Sequence, residues 1–144
     1  MMILAVDPGG TTGWASLTPD GFEAGFDADW LHFCQMVSDH PPDICVVEKF
    51  TITTQTAKLT RCYDPLYIIG TLLFFAKRDG FRIVFQTPSE AKTFSTNEKL
   101  KRINWYTTND HARDAARHLL LYAVRSGLIT GRDLIDGESI SNNK

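Results

Sequence analysis

Hydrophobic residues fall along this chain in short continuous runs broken by Gly, Pro and Asp. Met2–Val6 is apolar throughout, the pattern of a strand buried on both faces, and Asp43–Val47 repeats it. Thr12–Leu17 and Phe22–Phe26 flank Thr18-Pro19-Asp20-Gly21, where Pro fixes φ, Asp caps locally and Gly takes a positive φ, so the two runs form a hairpin. Asp29–Ser38 sets Trp30, Phe33, Cys34 and Val37 at helical spacing, and His40-Pro41-Pro42 stops that helix. Asp64-Pro65 opens a second helix, with Asp at the N-cap and Pro at N1, that runs to about Arg78 and is apolar nearly all round. Asp79-Gly80 ends it. Phe81–Phe85 is the next strand and Pro88–Phe94 a short helix. Lys49–Arg61 lacks a clear period and reads as a loop or frayed helix start. Ser95–Thr108 reads as a polar, basic, mobile segment. Thr108 or Asn109 caps a final helix through about Ser126. The order β-β-β-α-β-α-β-α-α predicts an α/β fold, a mixed sheet with helices packed on its faces.

Composition narrows this only a little. At 144 residues and 43% hydrophobic content, one domain with a substantial core is expected. We place it at residues 1–126, with 127–144 as a partly disordered tail after one short element. The formal charge of -2 announces no nucleic-acid partner, so such a role needs a local patch. Cys34, Cys45 and Cys62 form neither a CxxC pair nor a zinc-type spacing, which suits a reducing compartment. No basic leader and no apolar run near about 18 residues is seen, so the expectation is a soluble, cytoplasmic protein without a membrane partner.

The candidate chemistry is acidic. Asp7 follows the first strand inside Asp7-Pro8-Gly9-Gly10-Thr11-Thr12-Gly13, Glu48 follows the strand ending at Val47, and Asp114 lies one turn into the last helix. Each alone has an ordinary reading: Asp-Pro-Gly suits a turn, Glu48 a solvated strand end, Asp110 a first-turn acid favoured by the helix dipole, His118 a core or surface histidine. Acids that converge repel one another unless a cation sits among them, and Mg²⁺ takes carboxylate oxygens plus water. Asp110 and His111 each share a helix face with Asp114, at i,i+4 and i,i+3.

Taken together, "ILAVDPGGTTGWA", "VVEKF", "TPSEAKTFSTNEKLK" and "HARDAARHLLLYA" resemble RuvC-type Holliday junction resolvases of the RNase H-like superfamily, over roughly Met2–Val124. The short, divergent chain looks like phage-encoded members, which would place it in a host cytoplasm. The resemblance implies an RNase H-like mixed five-stranded sheet with helices on both faces. It implies a homodimeric endonuclease nicking branched DNA by two-metal hydrolysis with Mg²⁺ (or Mn²⁺), needing no small-molecule cofactor. Asp7, Glu48 and Asp114 match the catalytic, metal-holding acids. His111 stands where Asp is frequent, offering a neutral nitrogen ligand or a proton shuttle instead of a second charge, with Asp110 next door able to compensate.

For DNA, Lys49, Lys58 and Arg61 group in one loop and Lys92, Lys99, Lys101 and Arg102 precede the last helix. Lys92 and Lys99 match the family's basic positions. Phe50 is the candidate for the aromatic that inserts among bases, displaced by one position, and Trp105 and Tyr106 are further stacking candidates. The helix Leu66–Phe75 is either a dimer face or core. Three alternatives stay open: an actin-like ATPase or sugar kinase, for which the chain has one lobe too few; an RNase H acting on hybrids; and a junction binder without catalysis.

Overall fold

The computed structural model describes residues 1–54 and 63–136. Strands β1 (Ile3–Asp7), β2 (Thr12–Thr18), β3 (Gly21–Asp27), β4 (Ile44–Glu48) and β5 (Arg82–Gln86) form one mixed sheet in the order β3-β2-β1-β4-β5. The β1–β2–β3 meander is antiparallel, whereas β4 and β5 run parallel to β1. Around it lie α1 (Trp30–Asp39), α2 (Asp64–Asp79), α3 (Pro88–Phe94), α4 (Asn97–Arg102), α5 (Asp110–Arg125) and α6 (Gly131–Asp136). This is the α/β architecture that the chain's pattern predicts, with helices on both faces.

The continuous apolar runs have a direct structural cause. Along β1, Ile3 and Ala5 enter one core with α5, while Leu4 and Val6 enter a second core with α1 and α2. The α5 core is built from small residues: Ala5 and Ala15 of the sheet meet Ala115, Ala116 and Ala123. Small side chains on both sides let the helix lie close. Gly13 marks the tightest approach, because a Cβ there would collide with the backbone carbonyl of His111 and stand 3.0 Å from Ala112 N. The first turn of α5 is therefore pinned against β2 at a residue that only glycine can fill.

Local signals explain most boundaries. The Asp29 carboxylate accepts from Leu31 N at 3.0 Å and starts α1. Thr87 and Glu90 form a reciprocal capping box on α3, with Pro88 in the first turn. Asn109 accepts from Ala112 N at 2.9 Å and starts α5. Gly21, at φ 122°, closes the hairpin.

Three expectations need correction. Asp64 does not cap α2: Tyr63 holds the cap position without a side-chain bond, and Asp64 lies within the first turn. Its carboxylate instead faces the glycine loop, within 3.4 Å of where a Gly10 Cβ would stand. Ser95–Thr108 is not a loose segment, since it contains α4 and buries Leu100, Ile103 and Trp105 in the α5 core. Trp105 is 1% exposed and stacks on Phe22 at 4.8 Å between centroids, so it has no face to offer a base. Beyond Ser126, Ile129 and Leu134 also join this core.

Candidate active site

The parallel pairing of β1 with β4 sets Val6 opposite Val47, and the next residue on each strand is an acid. Asp7 and Glu48 thus leave the same sheet edge side by side, and their carboxyl groups share a hydrogen bond. Both are largely buried, with side chains 14% and 19% exposed. Two carboxylates cannot both stay ionised at that range without a cation. Asp7 takes the strain: burial, the bond to Glu48, and the charges of Glu48 and Asp114 push its pKa up to about 9. Glu48 moves the other way. Burial alone would raise it, but hydrogen bonds from His118 and Asp7 outweigh that and leave its carboxyl below the usual range.

His118, read from the sequence as a core or surface histidine, is buried, and what that reading missed is its contact with Glu48. It is 1% exposed, with Nε2 3.1 Å from Glu48 Oε1 and Nδ1 2.9 Å from Gln86 Oε1. The signal was present in the spacing: His111, Asp114 and His118 lie three and four residues apart on α5, a single stripe facing the strand ends. Gln86, opposite Glu48 on β5, completes the row.

From α5, His111 reaches over the pair with Nδ1 3.9 Å from Asp7 Oδ2, and its side chain is half-exposed at the mouth of the cleft. Asp114 is close enough for its charge to act on Asp7, yet it leans toward Arg117, whose Nε lies 3.5 Å from its carboxylate. Arg117 also donates to Ser95 O at 2.5 Å and Asn97 Oδ1 at 2.6 Å, which ties α5 to the segment carrying α4. Asp110 points away: it is 81% exposed and pairs with Arg113.

The basic residues divide. The charge of Lys92, on α3, acts on both Asp7 and Glu48. Lys49 and Phe50 follow Glu48 and line a pocket of about 450 Å³ with Leu66, Ile69, Phe85, Thr87 and Glu90. Lys99 is drawn onto its own neighbourhood, donating to Phe94 O at 2.9 Å and lying 3.9 Å over the Phe94 ring. Lys101 sits 4.7 Å over Tyr106, which leaves that ring in a cation–π contact, and Arg102 is exposed. Lys58 and Arg61 lie outside the described residues.

The donor set fits a hard divalent ion. Asp7 and Glu48 are two buried oxygen ligands forced together, with a third acid and an imidazole one helical turn away. As the side chains lie, no three acid, His or Cys groups among the described residues already ring an ion. Glu48 lies against His118, and Asp114 against Arg117.

No protein-family model matches the chain, and no curated protein does. Solved structures do. Thermus thermophilus RuvC in complex with a Holliday junction substrate is similar at a TM-score of 0.63 and 15% identity, over 88% of this chain and 96% of that one. Thermus thermophilus RuvC in a further structure gives 0.55 and 13%, over 88% and 97%. The Fowlpox virus resolvase with Holliday junction DNA gives 0.52 and 17%, over 83% and 97%. Identities this low speak for the fold, and on it they agree: the chain has the RNase H-like fold of RuvC-type resolvases.

Proposed function

We propose that this protein is a divalent-metal-dependent endonuclease that nicks branched DNA, with the Holliday junction as its foremost substrate. One observation carries the reading: two adjacent parallel strands deliver Asp7 and Glu48 side by side to one edge, both largely buried. The likeness to resolvases bound to junction DNA supports the choice of substrate.

Asp7 and Glu48 would hold the ion or ions, with Asp114 and His111 beside them. Bound there, Mg²⁺ or Mn²⁺ would supply a Lewis acid that activates water and neutralises charge on the scissile phosphate. To serve as an oxygen ligand Asp7 would have to release the proton that its raised pKa lets it keep. His118 fixes one oxygen of Glu48 and so sets the direction of the other. Lys92 would meet a phosphate oxygen over the carboxylate pair. His111, at the cleft mouth, is placed to pass a proton to or from solvent. Water attacks phosphorus, the bond to the 3′ oxygen breaks, and 5′-phosphate and 3′-hydroxyl ends remain. Lys49 and Phe50 would contact the strand next to the cut, and the cations of α4 the flanking backbone.

Paired nicks call for two such clefts, hence a homodimer. The outer row of α2 supports this: Leu66, Tyr67, Leu73 and Phe74 are 37%, 55%, 47% and 63% exposed. The test is nicking of a four-way junction, a flap, linear duplex and an RNA–DNA hybrid with Mg²⁺, Mn²⁺ or EDTA. Paired, metal-dependent nicks on the junction are expected. Hybrid-only cutting would move the reading to RNase H, and binding without cutting under any metal would make the protein a junction binder.

A further inference from the structure

All 15 Lys and Arg residues of this chain lie at Lys49 or beyond, whereas eight of its 17 acids precede that position. The residues before Lys49 build β1 to β4 and α1, so that part of the fold is acidic and the basic groups belong to later elements. Within the acidic part, α1 and the sheet enclose an apolar pocket of about 360 Å³. We propose that it is a docking site for a cationic segment of a partner protein, anchored by one apolar side chain. No part of the nuclease reading uses it.

The pocket exists because the two faces of β2 and β3 are covered unequally. On one face Ala15, Leu17, Phe22 and Ala24 pack against the α5 core. On the other, α1 supplies Phe33, Met36 and Val37 as a wall and leaves a gap between itself and Trp14, Ser16 and Glu23. Gly25 flattens the floor: a Cβ there would stand 2.8 Å from the Trp14 ring, so the indole lies across the edge strand β3. Ser16, opposite Leu4 in the sheet, also lines the gap. It is 6% exposed, and its hydroxyl makes no hydrogen bond among the described residues. A buried hydroxyl without a partner is a cost that a ligand's backbone amide or carbonyl would remove. Met36, 36% exposed at the rim, is a side chain that reshapes to fit what enters.

Charge selects the occupant. Glu23 lines the pocket on the β3 side and pairs with no cation among the described residues. On the α1 side, Asp39 adjoins His40 of the pocket wall, and Asp43 accepts from Met2 N at 2.7 Å. Arg78 of α2 reaches α1 and bonds Ser38 at 3.0 Å, but Asp79 neutralises it through bonds of 2.8 and 3.0 Å. A nucleic-acid strand or an anionic membrane would be repelled here. Lys or Arg on either side of an apolar anchor would instead each meet a carboxylate. Because β3 is an edge strand, its outer backbone groups can pair with such a segment in extended form.

The test titrates synthetic peptides into the full chain and follows the ¹⁵N–¹H signals of the Trp14 indole and of the Ser16 and Glu23 amides. The peptides are Lys-Lys-Gly-Phe-Gly-Lys-Lys, the same with Ser for Phe, and the same with Glu for every Lys. Saturable shifts at these positions are expected with the first peptide, weakened about tenfold or more without Phe and absent with Glu. Added NaCl should weaken binding, and Glu23→Lys should weaken it about threefold to tenfold. Ser16→Leu, which fills the pocket, should abolish the advantage of Phe over Ser. The same spectra report whether each variant is folded, and exposed Glu23 keeps the test open should Ser16→Leu misfold. Equal binding of the Phe and Ser peptides would mean adsorption to an acidic surface, and equal binding of the Lys and Glu peptides a pocket for an uncharged ligand. Shifts that appear on concentrating the protein alone, and vanish in Glu23→Lys, would mean a second copy of this chain. Any of these results, or no saturable shift, overturns the proposal. Because nicking is measured separately, failure here leaves the nuclease reading intact.

Discussion

Asp7 and Glu48 occupy matching ends of neighbouring parallel strands, yet the protein treats the two sides of the cleft oppositely. Glu48 is fixed: a buried histidine holds one oxygen and Gln86 backs the histidine. Asp7 is left without a fixed cationic partner, with His111 at 3.9 Å and Lys92 acting only at a distance. The result is one carboxylate kept ionised and oriented and another kept protonated until something displaces the proton. A protonated acid held against an ionised one would exchange its proton for a cation bound between the two, which is a reason for a fold to tolerate such a pair. What the difference teaches is that, under the proposed reading, an ion would draw its binding energy mostly from the Asp7 side and its geometry mostly from the Glu48 side.

Removing the charge at Asp7 should break the comparison most. Asp7→Asn is expected to lower junction nicking by about 10³-fold or more while junction binding is kept or strengthened, read by single-turnover nicking and by gel shift. Its stability should move the other way. Without metal, folded Asp7 keeps its proton up to about 9 while the unfolded chain releases it near 3.8, so folding takes up a proton and stability falls as pH rises between those values. Thermal melts of the metal-free variant should therefore exceed wild type by about 2 kcal/mol or more at pH 7.5, with the gap closing toward pH 4. Glu48 contributes in the opposite sense, adding stability above its ordinary range and losing it on acidification.

Gly13→Ala acts on the Asp7 side through the backbone. The new Cβ must push the His111 carbonyl and the start of α5 off β2, at a cost of about 1–3 kcal/mol in denaturant melts. Nicking should fall further than stability explains, because His111 and Asp114 ride on the displaced turn. On the Glu48 side, His118→Ala frees the carboxylate without removing it. A loss of about 10–100-fold in nicking, partly offset by raised Mn²⁺, is expected. The smallest effect sharpens the contrast within one helix turn. Asp110→Asn, exposed and tied to Arg113, should leave nicking and stability within about 0.5 kcal/mol of wild type, whereas His111→Ala should not.

The legible parts of this molecule were those governed by local chemistry. Apolar runs gave the strands, because residues buried on both faces leave no polar alternation to misread. Asn109 announced the last helix from the sequence, and the structure adds Asp29 and Thr87 as caps of the same kind, side chains that bond their own backbone. The fold class followed from the order of elements, and the solved structures carry the same fold. The rest was tertiary. Lys99, Lys101 and Arg102 hid the inward row of Leu100, Ile103 and Trp105, since a short helix with one apolar stripe looks like a charged loop when read along the chain. Asp64 had the composition of a cap but turned to the glycine loop, which lies far away in sequence. His118 could be placed on the stripe of His111 and Asp114 from spacing alone. That it meets Glu48 depends on how close α5 lies, and this is decided by Gly13 and a set of alanines.

The most direct test of the central claim, that the repelling pair is a cation seat, needs no DNA. Thermal unfolding of wild type and Asp7→Asn is followed at pH 7.5 across a Mn²⁺ titration, with Ca²⁺ and added NaCl as controls. The account predicts that wild type starts lower and gains stability with Mn²⁺ as a binding isotherm, while Asp7→Asn starts higher and gains little. Equal gains in both proteins, or none in either, would contradict it.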